Sequence, residues 1–135
     1  MTQSRAVFDA SVVLRAVTAE SSAALSWVRR AESGEVHAIV PELLFAECAH
    51  ALLRYVRACV VDRRLATEQL RLVTSLRLDV RAHSLLVGVA LLLALERDLS
   101  AYDACYVAIA EAEQAILVTA DRRLAERSAI AELVA

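Results

Sequence analysis

Short apolar runs alternate with longer stretches of helical period along this chain, and that alternation leaves few architectures open. A strand buried on both faces reads as a short, continuous apolar run, whereas a helix repeats near every 3.6 residues. Runs of the first kind predict strands near 5–8, 36–40, 78–81 and 115–119, with a further one at 130–134. Helical patterns cover 10–17, 21–33, 42–60, 66–76, 83–97 and 101–113, with a short helix near 121–127. Strands that alternate with helices pair in parallel, so the expected class is α/β. Pro41 suits a helix entry after the second strand, and Gly34 suits a helix C-terminal cap. With two glycines and one proline in 135 residues, there is no linker and no low-complexity tract. The expectation is one domain over residues 1–135.

The hydrophobic fraction is 59 %, high for a soluble monomer, so a second chain is expected to cover part of the apolar surface. The longest apolar stretch, Leu85 to Leu95, falls well short of the roughly 20 residues that cross a bilayer. It reads as a helix buried on nearly all sides, and no membrane is expected. The polar start Met1-Thr2-Gln3-Ser4-Arg5 runs straight into a strand, which argues against a signal peptide. A net charge of −2 excludes a uniformly basic nucleic-acid binder. All 15 basic residues are arginine. Arginine grips phosphate through a planar fork, but a compositional bias gives the same result, because exchanges at solvated sites cost little. Cys48, Cys59 and Cys105 form an odd set without C-x-x-C spacing. They read as small core residues of helices in a reducing cytoplasm, not as a disulfide framework or a zinc site.

Four acids stand where the structural period changes. Asp9 ends the run Ala6-Val7-Phe8, and Asp121 follows Ala115-Ile116-Leu117-Val118-Thr119. Ligands of open α/β sheets bind beyond the carboxyl ends of the strands. Glu47 and Asp103 lie on helices that can reach that edge. Gathered carboxylates need a cation or must stay partly protonated, and hard oxygen donors suit Mg²⁺ or Mn²⁺. Each acid also has a plainer explanation. Asp9 and Asp121 can cap the helices that follow them, and Ser100-Ala101-Tyr102-Asp103 has capping-box spacing. Glu47, flanked by Leu43, Leu44 and Ala51, can be a solvated residue on an outer helix face. Glu47 and His50 make a single E-x-x-H, where a di-iron bundle needs two. His37, His50 and His83 read as ordinary polar or core residues.

Other acidic pockets fit less well. A receiver domain needs a lysine opposite its aspartate, and this chain has none. A haloacid-dehalogenase-type phosphatase wants a second aspartate where Ser11 stands. No phosphate-binding glycine loop and no G-x-S-x-G elbow is present.

Taken in order, four blocks resemble PIN-domain ribonucleases. They are Val7-Phe8-Asp9-Ala10-Ser11-Val12, Val40-Pro41-Glu42-Leu43-Leu44-Phe45-Ala46-Glu47, Ser100 through Ala110, and Leu117-Val118-Thr119-Ala120-Asp121-Arg122-Arg123-Leu124. Their size and order are most similar to the toxin half of VapC-type toxin–antitoxin pairs. One departure is Gln114-Ala115, where a glycine commonly precedes the last acidic strand. Another is the wholly apolar 85–95 segment, more often amphipathic in the family.

The resemblance implies a three-layer α/β/α fold with a parallel sheet of four to five strands. It implies Mg²⁺- or Mn²⁺-dependent cleavage of RNA phosphodiester bonds by an activated water. Asp9 and Asp103 would be direct metal ligands. Glu47 would position the water or join the metal, and Asp121 would serve a second metal or a coordinated water. Ser11 and Thr119 would steady these acids, and Arg122 and Arg123 would meet substrate phosphate. The alternative is a catalytically silent PIN-like domain that binds or regulates. The expected partners are RNA, a cognate antitoxin and a second copy of the chain. The 85–97 helix would lie near the homodimer interface. A groove formed by 10–17, 21–33 and 42–60 would take a helical segment of the antitoxin.

Overall fold

In the computed structural model, which describes residues 3–135, every expected strand forms; Met1 and Thr2, the start of the polar N-terminal stretch, lie outside the described residues. The strands are β1 (Ser4–Phe8), β2 (Val36–Pro41), β3 (Asp79–Arg81), β4 (Ile116–Thr119) and β5 (Ala131–Leu133). They make one sheet in the order β3-β2-β1-β4-β5, with every neighbouring pair parallel. Val7 pairs with Ile39 on one side and Leu117 on the other, which puts β1 at the centre. Its Val7 and Phe8 are fully buried, as a continuous apolar run in a parallel sheet should be. The chain winds from β1 towards β3 in one direction, then crosses to β4 and β5 in the other. The strand order therefore reverses between β1 and β4, where a crevice opens beyond the strand ends.

The helices are α1 (Ala10–Val17), α2 (Ser22–Glu32), α3 (Leu43–Arg57), α4 (Arg63–Ser75), α5 (Val87–Arg97), α6 (Ala101–Glu113) and α7 (Arg122–Glu126). Gly34, at φ +85°, closes α2 in the left-handed region that glycine reaches without strain. Gln114 does the same for α6 at φ +52°, so a side chain occupies the turn where the family commonly has glycine. The Asp62 carboxylate accepts the Leu65 N–H at 2.8 Å, and this cap starts α4 three residues before the expected position.

Three expectations are corrected. The helix expected over 42–60 stops at Arg57, and Cys59 sits exposed in a left-handed turn at φ +58° instead of in the core. Only Cys48 and Cys105 are buried. The stretch expected as one helix over 83–97 opens with a 3₁₀ turn at His83–Leu85 before α5. Nor is α5 buried on nearly all sides: Leu91, Leu92 and Leu95 are 56–74 % exposed, and only Ala90 is fully covered. The reason is layering. Helix α6 lies against β1, β2 and β4, and α5 packs on the outside of α6. The helix enclosed on all sides is therefore α6, with Ala104 through Ala110 buried in succession. The main core fills both faces of the sheet with Phe8, Val12, Ile39, Leu44, Tyr106, Ile109, Leu117 and Leu124. Phe8 meets the edge of Trp27 at 6.2 Å between ring centres. No helix of the described residues is long and apolar enough to cross a membrane.

Candidate active site

The crevice between β1 and β4 receives Asp9 from the end of β1, and Asp9 is 6 % exposed. Asp9 stands at the N-cap of α1 but makes no side-chain cap bond. Its Oδ2 instead accepts hydrogen bonds from Ser11 Oγ at 2.7 Å and Thr119 Oγ1 at 2.8 Å. Ser11 Oγ accepts the Ala120 N–H, and Thr119 Oγ1 accepts the Asp121 N–H, each at 3.0 Å. Two hydroxyls thus tie the end of β1 to the end of β4 and fix the Asp9 carboxylate between them.

Asp121 caps α7, its Oδ1 accepting the N–H groups of Arg123 at 2.9 Å and Leu124 at 3.4 Å. Asp103 lies in the first turn of α6, where its N–H donates to Ser100 Oγ at 3.0 Å; Ser100, not Asp103, is the cap. Glu47 enters from α3. It is half-buried, and its Oε1 accepts the hydroxyl of the fully buried Tyr106 at 2.6 Å. The solvated reading of Glu47 is thereby set aside.

Asp9, Glu47, Asp103 and Asp121 line one cavity of about 370 Å³, together with Ser11, Arg15 and Arg54. Among the described residues none of the four acids forms an ion pair. Burial raises the pKa of Asp9 above the usual carboxylate range. Its bonds to Ser11 and Thr119 work against the rise, and the nearby Asp103 charge adds to it. Burial also raises Glu47; Tyr106 counters, while Asp9 and Asp103 push the same way as burial. Asp103 is raised by burial and by Asp121, partly offset by the Ser100 bond and the Arg123 charge. Burial, followed by Glu47 and Asp9, pushes the Cys48 thiol up to about 12. Cys48 therefore stays a neutral thiol at neutral pH.

Among the described residues no three Asp, Glu, His or Cys side chains stand close enough to form a ready-made metal cage. Carboxylates from four separate elements around an open cavity suit a different mode. Mg²⁺ keeps several waters and takes one or two direct carboxylates, so the donor set fits.

Arg122 and Arg123, both exposed on α7, are not among the residues lining this cavity, and Arg123 donates to the Asp98 carbonyl at 3.3 Å. His37 bonds Asp79, His50 is exposed, and His83 is half-buried; none of them lines the cavity. Sequence reading missed Tyr106, Arg15 and Arg54. A signal existed in helical spacing: Tyr106 lies three residues after Asp103, Arg15 four after Ser11, and Arg54 seven after Glu47.

A family model described as the PIN domain matches residues 6–130. The crystal structure of PAE2754 from Pyrobaculum aerophilum superposes with a TM-score of 0.76 at 29 % identity, covering 95 % of this chain and 82 % of that one. VapBC2 from Rickettsia felis, bound to a DNA fragment from its promoter, gives 0.68 at 14 % identity, with 97 % and 99 % covered. Mycobacterium tuberculosis VapC20, a Sarcin-Ricin loop cleaving toxin, gives 0.62 at 16 % identity, with 90 % and 93 % covered. The last two likenesses establish fold alone. A search of the curated proteins gave no match. With the family model matched over nearly its whole length, and a parallel sheet that gathers four acids at its switch point, the chain belongs to the PIN domain family.

Proposed function

We propose that this chain is a metal-dependent endoribonuclease and the toxin of a VapC-type toxin–antitoxin pair, residues 1–135 acting as one PIN-like domain in the cytoplasm. The observation that carries the reading is the convergence of four carboxylates, from four separate segments, on one cavity, none of them in an ion pair among the described residues. Such an arrangement is unfavourable unless a cation completes it.

Asp9 and Asp103 would hold Mg²⁺ or Mn²⁺ directly, and Asp121 would complete the set from the far side. When bound, the ion would lower the pKa of a coordinated water and offset charge on the phosphate. Glu47, oriented by Tyr106, would align that water against the phosphorus. Ser11 and Thr119 would keep Asp9 in register, as supporting hydrogen bonds do at metal centres.

Two protein partners belong to the same proposal. One is an antitoxin. Sequence reading put its groove among α1, α2 and α3. The structure has an apolar groove of about 510 Å³ between α3 and α4, lined by Leu52, Leu53, Val56, Ala66 and Leu70 with Arg57 and Arg63 beside them. It suits the apolar face of a helix. The other partner is a second copy, seated on the exposed face of α5, where Val87, Leu91 and Leu95 lie one turn apart. Light scattering checks this second part, and a monodisperse monomer would exclude it.

The enzymatic reading is tested by incubating labelled RNA with the purified chain in Mg²⁺, in Mn²⁺ and in EDTA. Cleavage should need the cation. Asp103→Asn should fold and melt no lower than the wild type, since it keeps the side chain's shape and removes a charge that burial disfavours, yet leave the RNA intact. Equal cleavage in EDTA, or by the variant, contradicts the proposal. A wild type that binds RNA or a partner yet never cuts would favour the silent binding domain.

A further inference from the structure

Four carboxylates around a cavity repel a phosphodiester, so a nuclease built this way needs fixed positive charge near the acids as well as a cation. Two side chains meet that requirement. Arg15 on α1 and Arg54 on α3 line the same cavity as the acids. Both are exposed, and neither takes part in an ion pair among the described residues. Arg5, Arg30, Arg64, Arg81, Arg97 and Arg127, by contrast, are each paired with an acid.

Their placement follows from helical geometry. Both helices begin at the carboxyl edge of the sheet and pack against each other. Arg15 follows Ser11 by one turn, and Arg54 follows Glu47 by two. At 1.5 Å per residue they stand about 6 Å and about 10 Å further along their helix axes. Both arginines thus stand at the rim of the cavity, on the side formed by α1 and α3. Glu20 also lies on this rim and opposes the attraction there.

We propose that Arg15 and Arg54 bind the phosphate backbone of a single RNA strand as it leaves the acidic centre over α1 and α3. This rests on the nuclease reading above. The arginine fork holds phosphate through paired hydrogen bonds. Contacts of this kind set register and carry the salt-dependent part of affinity without reading sequence. The strand is accordingly directed over α1 and α3.

The test is steady-state cleavage of a short, unstructured, fluorescent RNA in Mg²⁺ at several salt concentrations. Wild type is compared with Arg15→Gln, Arg54→Gln, and Arg71→Gln on α4, outside the cavity. The two rim variants should raise KM about tenfold and leave kcat within about twofold, while the salt slope of binding falls by about 0.7 for each arginine removed. Arg71→Gln should match wild type. Arg15→Lys and Arg54→Lys should restore the salt slope but only part of the affinity, because the charge returns without the fork; they also separate a binding defect from a folding one. Glu20→Gln should lower KM. If wild type cleaves and the two Gln variants keep its KM and salt slope, the assignment of the arginines is wrong while the nuclease stands. A fall in kcat at constant KM also overturns it. If wild type cleaves no RNA with either cation, the nuclease reading fails and takes this one with it.

Discussion

Two groups of carboxylates in this fold are held in opposite ways. Around β3, Arg81 bridges two acids, bonding Glu113 Oε1 at 2.8 Å and also Asp79. Arg5 reaches Glu113 Oε2 at 3.0 Å, and His37 reaches Asp79 at 2.8 Å. At the carboxyl end, among the described residues, Asp9, Glu47 and Asp121 accept only from hydroxyl and backbone groups, and Asp103 forms no ion pair. The consequence is electrostatic. The Arg81 bond holds Glu113 below its usual range. Burial pushes Asp79 upward, but the bonds from Arg81 and His37 outweigh it and leave Asp79 low. Asp9, Glu47 and Asp103 are raised, by burial first. An acid that serves the fold meets its counter-charge within the chain. Here four acids sit together with no ion pair to any of them among the described residues, which is how a site for an external cation differs from a structural ion network.

The largest difference should appear in activity. Asp9→Asn and Asp103→Asn should each lower RNA cleavage by on the order of 100-fold or more, while Asp79→Asn should leave kcat unchanged; a cleavage assay that ranks the three alike would break the comparison. Next is pH. Asp79 and Glu113 have lowered pKa values, so their stabilisation is present above the unfolded values of 3.8 and 4.5 and is lost as pH falls through the folded ones. Asp9, Glu47 and Asp103 have raised values, so their contribution is present below the unfolded values and is lost as pH rises through the folded ones. Urea unfolding of the metal-free chain across this range should therefore show stability limited from both sides, and Asp9→Asn should flatten the loss on the neutral side only. A smaller effect is expected from Arg81→Gln, which takes one of two partners from each of two partly exposed acids and should cost about 1 kcal/mol above pH 5 in the same assay. Arg5→Gln, whose side chain is 55 % exposed, should move the melting temperature least.

Much of this was legible in the residues, for identifiable reasons. Buried parallel strands are continuous apolar runs, so Val7, Ile39 and Leu117 announced the sheet. Acids that end such runs or begin the next helix fall at the strand ends by topology, and the structure brings Asp9, Glu47, Asp103 and Asp121 to one cavity. What was not legible depends on how separate elements meet. Tyr106 and Glu47 are 59 residues apart, and nothing local signals their bond. The composition of α5 said that its apolar face needs cover but not from which side, and the chain's own cover went to α6. Cys59 looked like core because the helical pattern runs on past Arg57, whereas the left-handed turn ends the helix first.

The melting temperature as a function of Mn²⁺ concentration, for the wild type and for Asp9→Asn at neutral pH, tests most directly whether the unpaired acids are kept for a cation. An ion that binds the folded state alone stabilises it by mass action, by about 2.7 kcal/mol at a hundredfold excess over its Kd. The wild type should melt progressively higher as Mn²⁺ is added. Asp9→Asn should start at or above the metal-free wild type, because a buried charge has been removed, and should respond weakly or not at all. A wild type indifferent to millimolar Mn²⁺, or a variant that rises in parallel with it, would contradict the account.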